Sequence, residues 1–160
     1  MKKSVAILGS TGSIGKTLLK ILEKDKKNYQ IVLLTANRSH QTLLKQAKKF
    51  NVKNLIITNK LDYQILIKKN KNTDINIYND FKYFKNFLKK KVDYTMSSIS
   101  GIDGLEPTIK MIKYSKSIAI ANKESIICGW NLIQKELKKN KTMFIPVDSE
   151  HFSIWYGLKN

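Results

Sequence analysis

The chain is short of several residue types, and each shortage excludes something. It holds a single cysteine, Cys128, so no internal disulfide can form and a cysteine metal cluster is ruled out. A reducing setting suits such a chain, and a cytoplasmic protein is the expectation. Long apolar runs are also missing. Met1-Lys2-Lys3 leads into Ser4–Leu8, a run too short for a signal-peptide core. Nothing approaches the roughly 18 apolar residues of a membrane span. No internal repeat and no Gly/Ser/Pro-rich linker divides the sequence.

Charge of one sign is scarce as well. Twelve acidic residues stand against 30 basic ones, for a net charge of +18. A nucleic-acid surface draws heavily on arginine, whose planar fork matches phosphates and base edges. Here only Arg38 is arginine, and the lysines are spread along the chain. Most sit near the ends of expected helices, where cations complement the dipole. Drift of composition onto solvated faces therefore explains the charge better than nucleic-acid binding does, and no nucleic-acid partner is expected.

What is present reads as one globular chain. Hydrophobic residues make up 42% of the 160, enough for a core and too many for a disordered tail. Short apolar runs alternate with helical patterns. The runs are Ser4–Leu8, Gln30–Ala36, Asn54–Thr58, Ile75–Tyr78, Val92–Ser98, Ser117–Ala121 and Met143–Val147. Helices are expected over Ser13–Lys24, with Ile14, Leu18, Ile21 and Leu22 on the inner face, and over Gln41–Phe50 and Leu61–Lys69. Three more are expected around Phe81–Leu88, over Gly104–Ser115 with Pro107 near its start, and along the stripe Ile126, Trp130, Ile133, Leu137. Such alternation predicts an α/β fold: a doubly wound, mostly parallel sheet with helices on both faces.

The sharpest local signal is Gly9-Ser10-Thr11-Gly12-Ser13-Ile14-Gly15, between the first expected strand and the first expected helix. Glycines there allow a tight turn and let backbone N–H groups approach a pyrophosphate, and the helix N-terminus adds partial positive charge. Thr11 and Ser13 can add hydroxyl donors. A loop of this kind can also be only a turn, but its placement favours a Rossmann-like dinucleotide site. About twenty residues further on, an NAD site usually places a carboxylate for the ribose 2′-hydroxyl. This chain has Asn37-Arg38-Ser39 instead. A guanidinium and a hydroxyl suit a 2′-phosphate, so NADP is expected over NAD. The bland alternative for Arg38 is a solvated loop residue.

Two further clusters follow expected strands, where open α/β sheets bind ligands. In Asn122-Lys123-Glu124, the lysine can take a substrate anion and its neighbours can hydrogen-bond a ribose or amide; a polar helix start is the alternative. In Pro146-Val147-Asp148-Ser149-Glu150-His151, an extended backbone would turn Asp148 and Glu150 to one side. Paired carboxylates repel unless a cation joins them, and Mg²⁺ or Mn²⁺ suits oxygen ligands. A solvated turn remains equally open.

These motifs, in this order, resemble the 1-deoxy-D-xylulose 5-phosphate reductoisomerase family, from the first strand to about Ile154. The resemblance implies NADPH contacts at Gly9, Thr11, Gly12, Ser13 and Ile14, and around the 2′-phosphate at Asn37, Arg38 and Ser39. Many relatives have Gly-Lys-Asn at the latter place, so this chain departs in detail and keeps the cation. It also implies cofactor contacts at Asn122 and Glu124, and substrate or catalytic roles for Lys123, Ser149 and Glu150. Asp148 and Glu150 would be metal ligands; His151 matches a motif position without a defined role. Residues 1–147 would form the NADP-binding domain and 148–160 the start of a catalytic, metal-binding domain.

The implied reaction is rearrangement and NADPH-dependent reduction of 1-deoxy-D-xylulose 5-phosphate to 2-C-methyl-D-erythritol 4-phosphate, with no membrane partner and a homodimer as the full-length assembly. Family members are more than twice as long, so a fragment with little or no turnover is expected. The apolar group Phe152, Ile154, Trp155, Tyr156 and Leu158 would then need a covering surface. Another NADP-dependent oxidoreductase, or a basic nucleic-acid-binding domain, are the remaining alternatives.

Overall fold

The computed structural model describes residues 1–71, 73–147 and 157. Its strands are β1 (Lys3–Leu8), β2 (Tyr29–Ala36), β3 (Asn54–Ile57), β4 (Asn76–Tyr78), β5 (Val92–Ser97), β6 (Ser115–Ile120) and β7 (Met143–Pro146). They form one sheet of order β4-β3-β2-β1-β5-β6-β7, and every neighbouring pair is parallel. The helices are α1 (Ser13–Lys24), α2 (His40–Phe50), α3 (Lys60–Lys69), α4 (Phe84–Phe87), α5 (Leu105–Ile112) and α6 (Lys123–Asn140). The expected doubly wound α/β sheet is the one observed.

Each strand supplies one set of side chains to each face, because successive residues point oppositely. On one face Val5 and Ile7 of β1, with Leu34, Leu55 and Ile57, pack under Leu19 and Leu22 of α1, Leu43 and Ala47 of α2 and Leu66 of α3. On the other, Ala6, Leu8, Leu33, Ile56 and Ile118 pack under Phe84 of α4, Met111 and Ile112 of α5, and Ile126, Ile133 and Leu137 of α6. The chain winds from β1 toward β4, then crosses to β5 and winds the other way. The helices that follow β1 and β5 therefore lie on opposite faces of the sheet, which opens a crevice at the carboxyl ends of these strands.

Three expectations need correction. The inner face of α1 is Gly15, Leu19 and Leu22, whereas Ile14 and Ile21 are 42% and 59% exposed. The helix is rotated because Gly15, lacking a side chain, is the residue that can sit against β1's exit loop. Leu18 stays partly buried at the edge of the same cluster. The helix expected over Gly104–Ser115 is shorter: a 3₁₀ turn at Ile102–Gly104 precedes α5, which ends at Ile112. The Ser115 hydroxyl donates to the Met111 carbonyl and pairs with Thr95, while Ser115 itself opens β6 beside Val92. The helix expected around Phe81–Leu88 is a 3₁₀ turn, Phe81–Tyr83, followed by the single turn of α4. The apolar group Phe152, Ile154, Trp155, Tyr156 and Leu158 lies outside the described residues.

At the amino ends of the strands, Asp93 ties β1 to β5. Its carboxylate accepts from the backbone N–H and hydroxyl of Ser4, both at 2.8 Å, and from Lys116 Nζ at 2.7 Å. The Lys116 ammonium, then the Ser4 donors, hold the Asp93 carboxyl well below the usual carboxylate range. Because the folded value is depressed, the unfolded chain takes up the proton first. The contribution to stability is complete above the unfolded value and is lost as pH falls through the folded one. Asp93→Asn is expected to melt below the parent at neutral pH, with the gap closing below about pH 4. Thermal melts across pH 7 to pH 3 check this; a gap that does not change with pH would contradict it.

Candidate dinucleotide site

The crevice is built from the β1 exit upward. Gly9 takes φ +82°, a conformation that L side chains rarely adopt, and a Cβ there would meet the Ser98 carbonyl oxygen at 2.8 Å. Gly9 N–H donates to Thr35 Oγ1 at 3.0 Å, and Ser10 N–H donates to the Thr35 carbonyl at 2.9 Å. The Ser10 hydroxyl is fully buried and donates to Gln46 Oε1 at 2.8 Å, while Gln46 Nε2 donates back to the Ser10 carbonyl at 2.9 Å. From the other side, Ser98 N–H and its hydroxyl both donate to the Leu8 carbonyl. The loop is thus bolted to β2, α2 and the β5 exit.

Its outer rim is left for a ligand. Gly12 N–H closes the turn onto the Gly9 carbonyl at 3.1 Å. Gly12 is then the N-cap of α1, and no side chain caps that helix. Among the described residues no side chain therefore competes for the first-turn N–H groups of α1, and the helix dipole points positive at them. Thr11 is half-buried, while Gly12, Ser13 and Ile14 are exposed. A cleft of about 310 Å³ opens here, lined by Gly9, Thr11, Asn37, Phe81, Ser98 and Asp103 among others. Larger hollows among the described residues, of about 450, 500 and 610 Å³, lie away from this loop, around Lys2, Tyr29 and Phe50, around Asn51, Lys53 and Thr73, and around Tyr94, Lys116 and Met143. They sit toward the amino ends of strands, away from the helix start. The donor set at the rim of the smaller cleft fits a pyrophosphate.

The β2 exit supplies the second wall. Asn37, Arg38 and Ser39 are exposed. Asn37 Nδ2 donates to Thr58 Oγ1 at 2.9 Å, and the Asn37 carbonyl accepts from Asn59 N–H at 2.9 Å. Ser39 is left-handed at φ +65° and does not cap α2 with its side chain. That position is filled from α3: Asp62 Oδ1 accepts from His40 N–H at 3.3 Å and from His40 Nδ1 at 2.5 Å. A carboxylate can only accept, so Nδ1 carries the proton. The His40 side-chain hydrogen bond outweighs burial and holds the Asp62 carboxyl below its usual range, with a smaller pull from the Arg38 guanidinium.

The β6 exit carries Asn122, Lys123 and Glu124. Asn122 is 4% exposed, and its amide serves the fold. Oδ1 accepts from Ser125 N–H at 2.8 Å and caps α6, while Nδ2 donates to the carbonyls of Ile99 and Gly101. It therefore stitches the β6 exit to the loop beyond β5. Lys123 and Glu124 are exposed in the first turn of α6. Asp148, Ser149, Glu150 and His151 lie outside the described residues. Among the described residues, no group of three His, Cys, Asp or Glu side chains could hold a metal.

A model of the 1-deoxy-D-xylulose 5-phosphate reductoisomerase family matches residues 5–129. The chain belongs to that family. It is 56% identical over 160 residues to the reductoisomerase of Pelagibacter ubique, covering 99% of this chain and 41% of the relative. To the enzyme of Wolbachia pipientis from Culex pipiens it is 40% identical over 159 residues, again covering 99% of this chain and 41% of the relative. The chain thus spans about two-fifths of the length of these relatives. Among solved structures it is similar to the reductoisomerase of Zymomonas mobilis in complex with NADPH, with a TM-score of 0.85 and 32% identity over 94% of this chain and 40% of that one. A reductoisomerase in complex with NADPH, fosmidomycin and magnesium gives 0.85 and 32% over 93% and 37%. Homoserine dehydrogenase of S. aureus, at 18% identity and a TM-score of 0.55, shares the fold.

Several positions around this cleft were invisible to spacing alone. Gln46, Ser98, Phe81 and Asp103 come from distant segments, and nothing local marks them. Thr35 did carry a signal, as the lone hydroxyl late in the apolar run QIVLLTA. The tightest approach to backbone is at Gly15, where a Cβ would stand 2.5 Å from the Gly9 carbonyl oxygen and 2.6 Å from Ser10 Cα. Both are backbone atoms and cannot swing aside. Gly15→Ala is expected to lose about 1–3 kcal/mol by overpacking. Gly12→Ala, whose Cβ would lie 3.4 Å from the same oxygen, should lose much less. Urea denaturation of both variants checks the ranking; equal losses would contradict it.

Proposed function

We propose that this chain is the NADPH-binding portion of an enzyme that isomerises and reduces 1-deoxy-D-xylulose 5-phosphate to 2-C-methyl-D-erythritol 4-phosphate. The observation that carries the reading is the rigid glycine loop feeding an uncapped α1 at the point where the sheet reverses its winding. Relatives solved with NADPH and with magnesium support the choice of ligands. Thr11, Gly12, Ser13 and Ile14, with Gly9, hold the pyrophosphate end by backbone N–H groups and hydroxyls. Asn37, Arg38 and Ser39 take the 2′-phosphate, with the guanidinium as the charged fork.

Asn122 and Glu124 contact the cofactor at the α6 start, which the Asn122 bonds described above hold in place. Lys123, one residue on from the cap, orients the phosphorylated sugar, and Ser149 and Glu150 contact it as well. Asp148 and Glu150 hold a divalent ion, Mg²⁺ or Mn²⁺. When bound, NADPH supplies the hydride and the ion supplies Lewis acidity at the substrate oxygens. Residues 1–147 are the cofactor domain and 148–160 open the catalytic one. The complete enzyme works in the cytoplasm as a homodimer, without nucleic-acid or membrane partners.

Titration calorimetry on the purified chain should show NADPH binding more tightly than NADH. Arg38→Ala should weaken NADPH by about tenfold, the size of one charge-assisted hydrogen bond, and leave NADH unchanged. The complete gene product should oxidise NADPH, followed at 340 nm, when given deoxyxylulose phosphate and Mg²⁺. Binding of neither nucleotide, or silence of the complete product, would overturn the reading.

A further inference from the structure

We infer that Asp62, acting through His40, is the positioning residue of the 2′-phosphate site and so sets the preference for NADPH over NADH. The inference rests on the function proposed above. Residues Asn37–Ser39 sit on an exposed bend that contains a left-handed serine, a conformation with little intrinsic preference in a non-glycine residue. Something outside the bend has to hold it.

Two anchors are present. On one flank, Asn37 is tied to the β3 exit through Thr58 and Asn59. On the other, the residue directly after Ser39 is clamped twice by one carboxylate oxygen of Asp62. Asp62 is itself placed by a second capping event. Asn59 caps α3 by accepting from the N–H groups of Leu61 and Asp62, both at 3.1 Å. The β3 exit therefore fixes α3, α3 fixes Asp62, and Asp62 fixes the point where the bend enters α2.

Charge strengthens the assignment. Asp62 stands in for the N-cap that Ser39 does not provide, so its carboxylate complements the α2 dipole. It also feels the Arg38 guanidinium, the smallest of the influences that lower its carboxyl. A carboxylate at this place would repel a 2′-phosphate if it were free. Two donors from His40 occupy its oxygen, so its role here is to shape the bend while Arg38 meets the ligand.

The test uses Asp62→Ala and Asp62→Asn in the purified chain, with dissociation constants for NADPH and NADH measured on the same samples. Asn keeps an acceptor oxygen for His40 and removes the charge; Ala removes both. Asp62→Ala should weaken NADPH by about five- to tenfold and leave NADH unchanged, a loss the size of one hydrogen bond. Asp62→Asn should restore the NADPH preference. Equal weakening of both nucleotides in Asp62→Ala, tighter NADPH binding in Asp62→Ala, or Asp62→Asn as impaired as Asp62→Ala would each overturn the inference while leaving the cofactor reading intact. A parent chain that binds neither nucleotide would sink both. Should Asp62→Ala fail to fold by circular dichroism, Asp62→Asn and His40→Ala decide the matter by the same NADPH-to-NADH ratio.

Discussion

Everything at the carboxyl end of the sheet depends on how closely α1 approaches the backbone of residues 9 and 10. That contact has no side chain in it. Gly15 lies where a methyl group would collide with the Gly9 carbonyl, and Gly9 lies where one would collide with the Ser98 carbonyl. The helix start is pressed onto the strand exit, and the exit is pressed onto the loop after β5. Partly buried hydrogen bonds with Thr35, Gln46 and Ser98 then lock the turn so that it cannot relax into the space a ligand would take. A loop held from behind in this way presents its front N–H groups at no further conformational cost on binding.

A second theme is how sparingly the few carboxylates are used. In a chain with a net charge of +18, Asp93 and Asp62 are placed at junctions between elements. Asp93 joins β1, β5 and β6 at the amino ends of the strands. Asp62 joins α3 to the start of α2 at the carboxyl ends. Each accepts more than one donor, which raises its structural value well above that of a solvated surface pair. By contrast, pairs such as Lys110 with Glu106, or Lys139 with Glu136, are solvent-accessible neighbours along a helix and add little.

Much of this was legible in the residues. The boundaries of α1 were read as observed, because a glycine-rich turn precedes it and its apolar spacing is helical. The strand runs were visible because a parallel sheet buries both faces and leaves nearly continuous apolar segments. The rotation of α1 was not visible, since Ile14 and Ile21 have the same apparent periodicity as the true inner face. The early end of α5 escaped as well: Ser115 looks like a helical residue until Thr95 is beside it. At the site, the residues at Asn122 suggest a ligand group, and only the packing reveals that its amide also bonds Ile99, Gly101 and Ser125.

By itself the sequence determined the α/β class, the order of the elements, the glycine corner and the lone arginine at the second strand's exit, because each depends on local periodicity, turn chemistry or charge. Tertiary structure alone decided the strand order, which brings residues 9 and 98 into contact, and the clamps Ser10–Gln46 and His40–Asp62. Those pairings are set by which helix packs over which strand, and no local spacing records that choice.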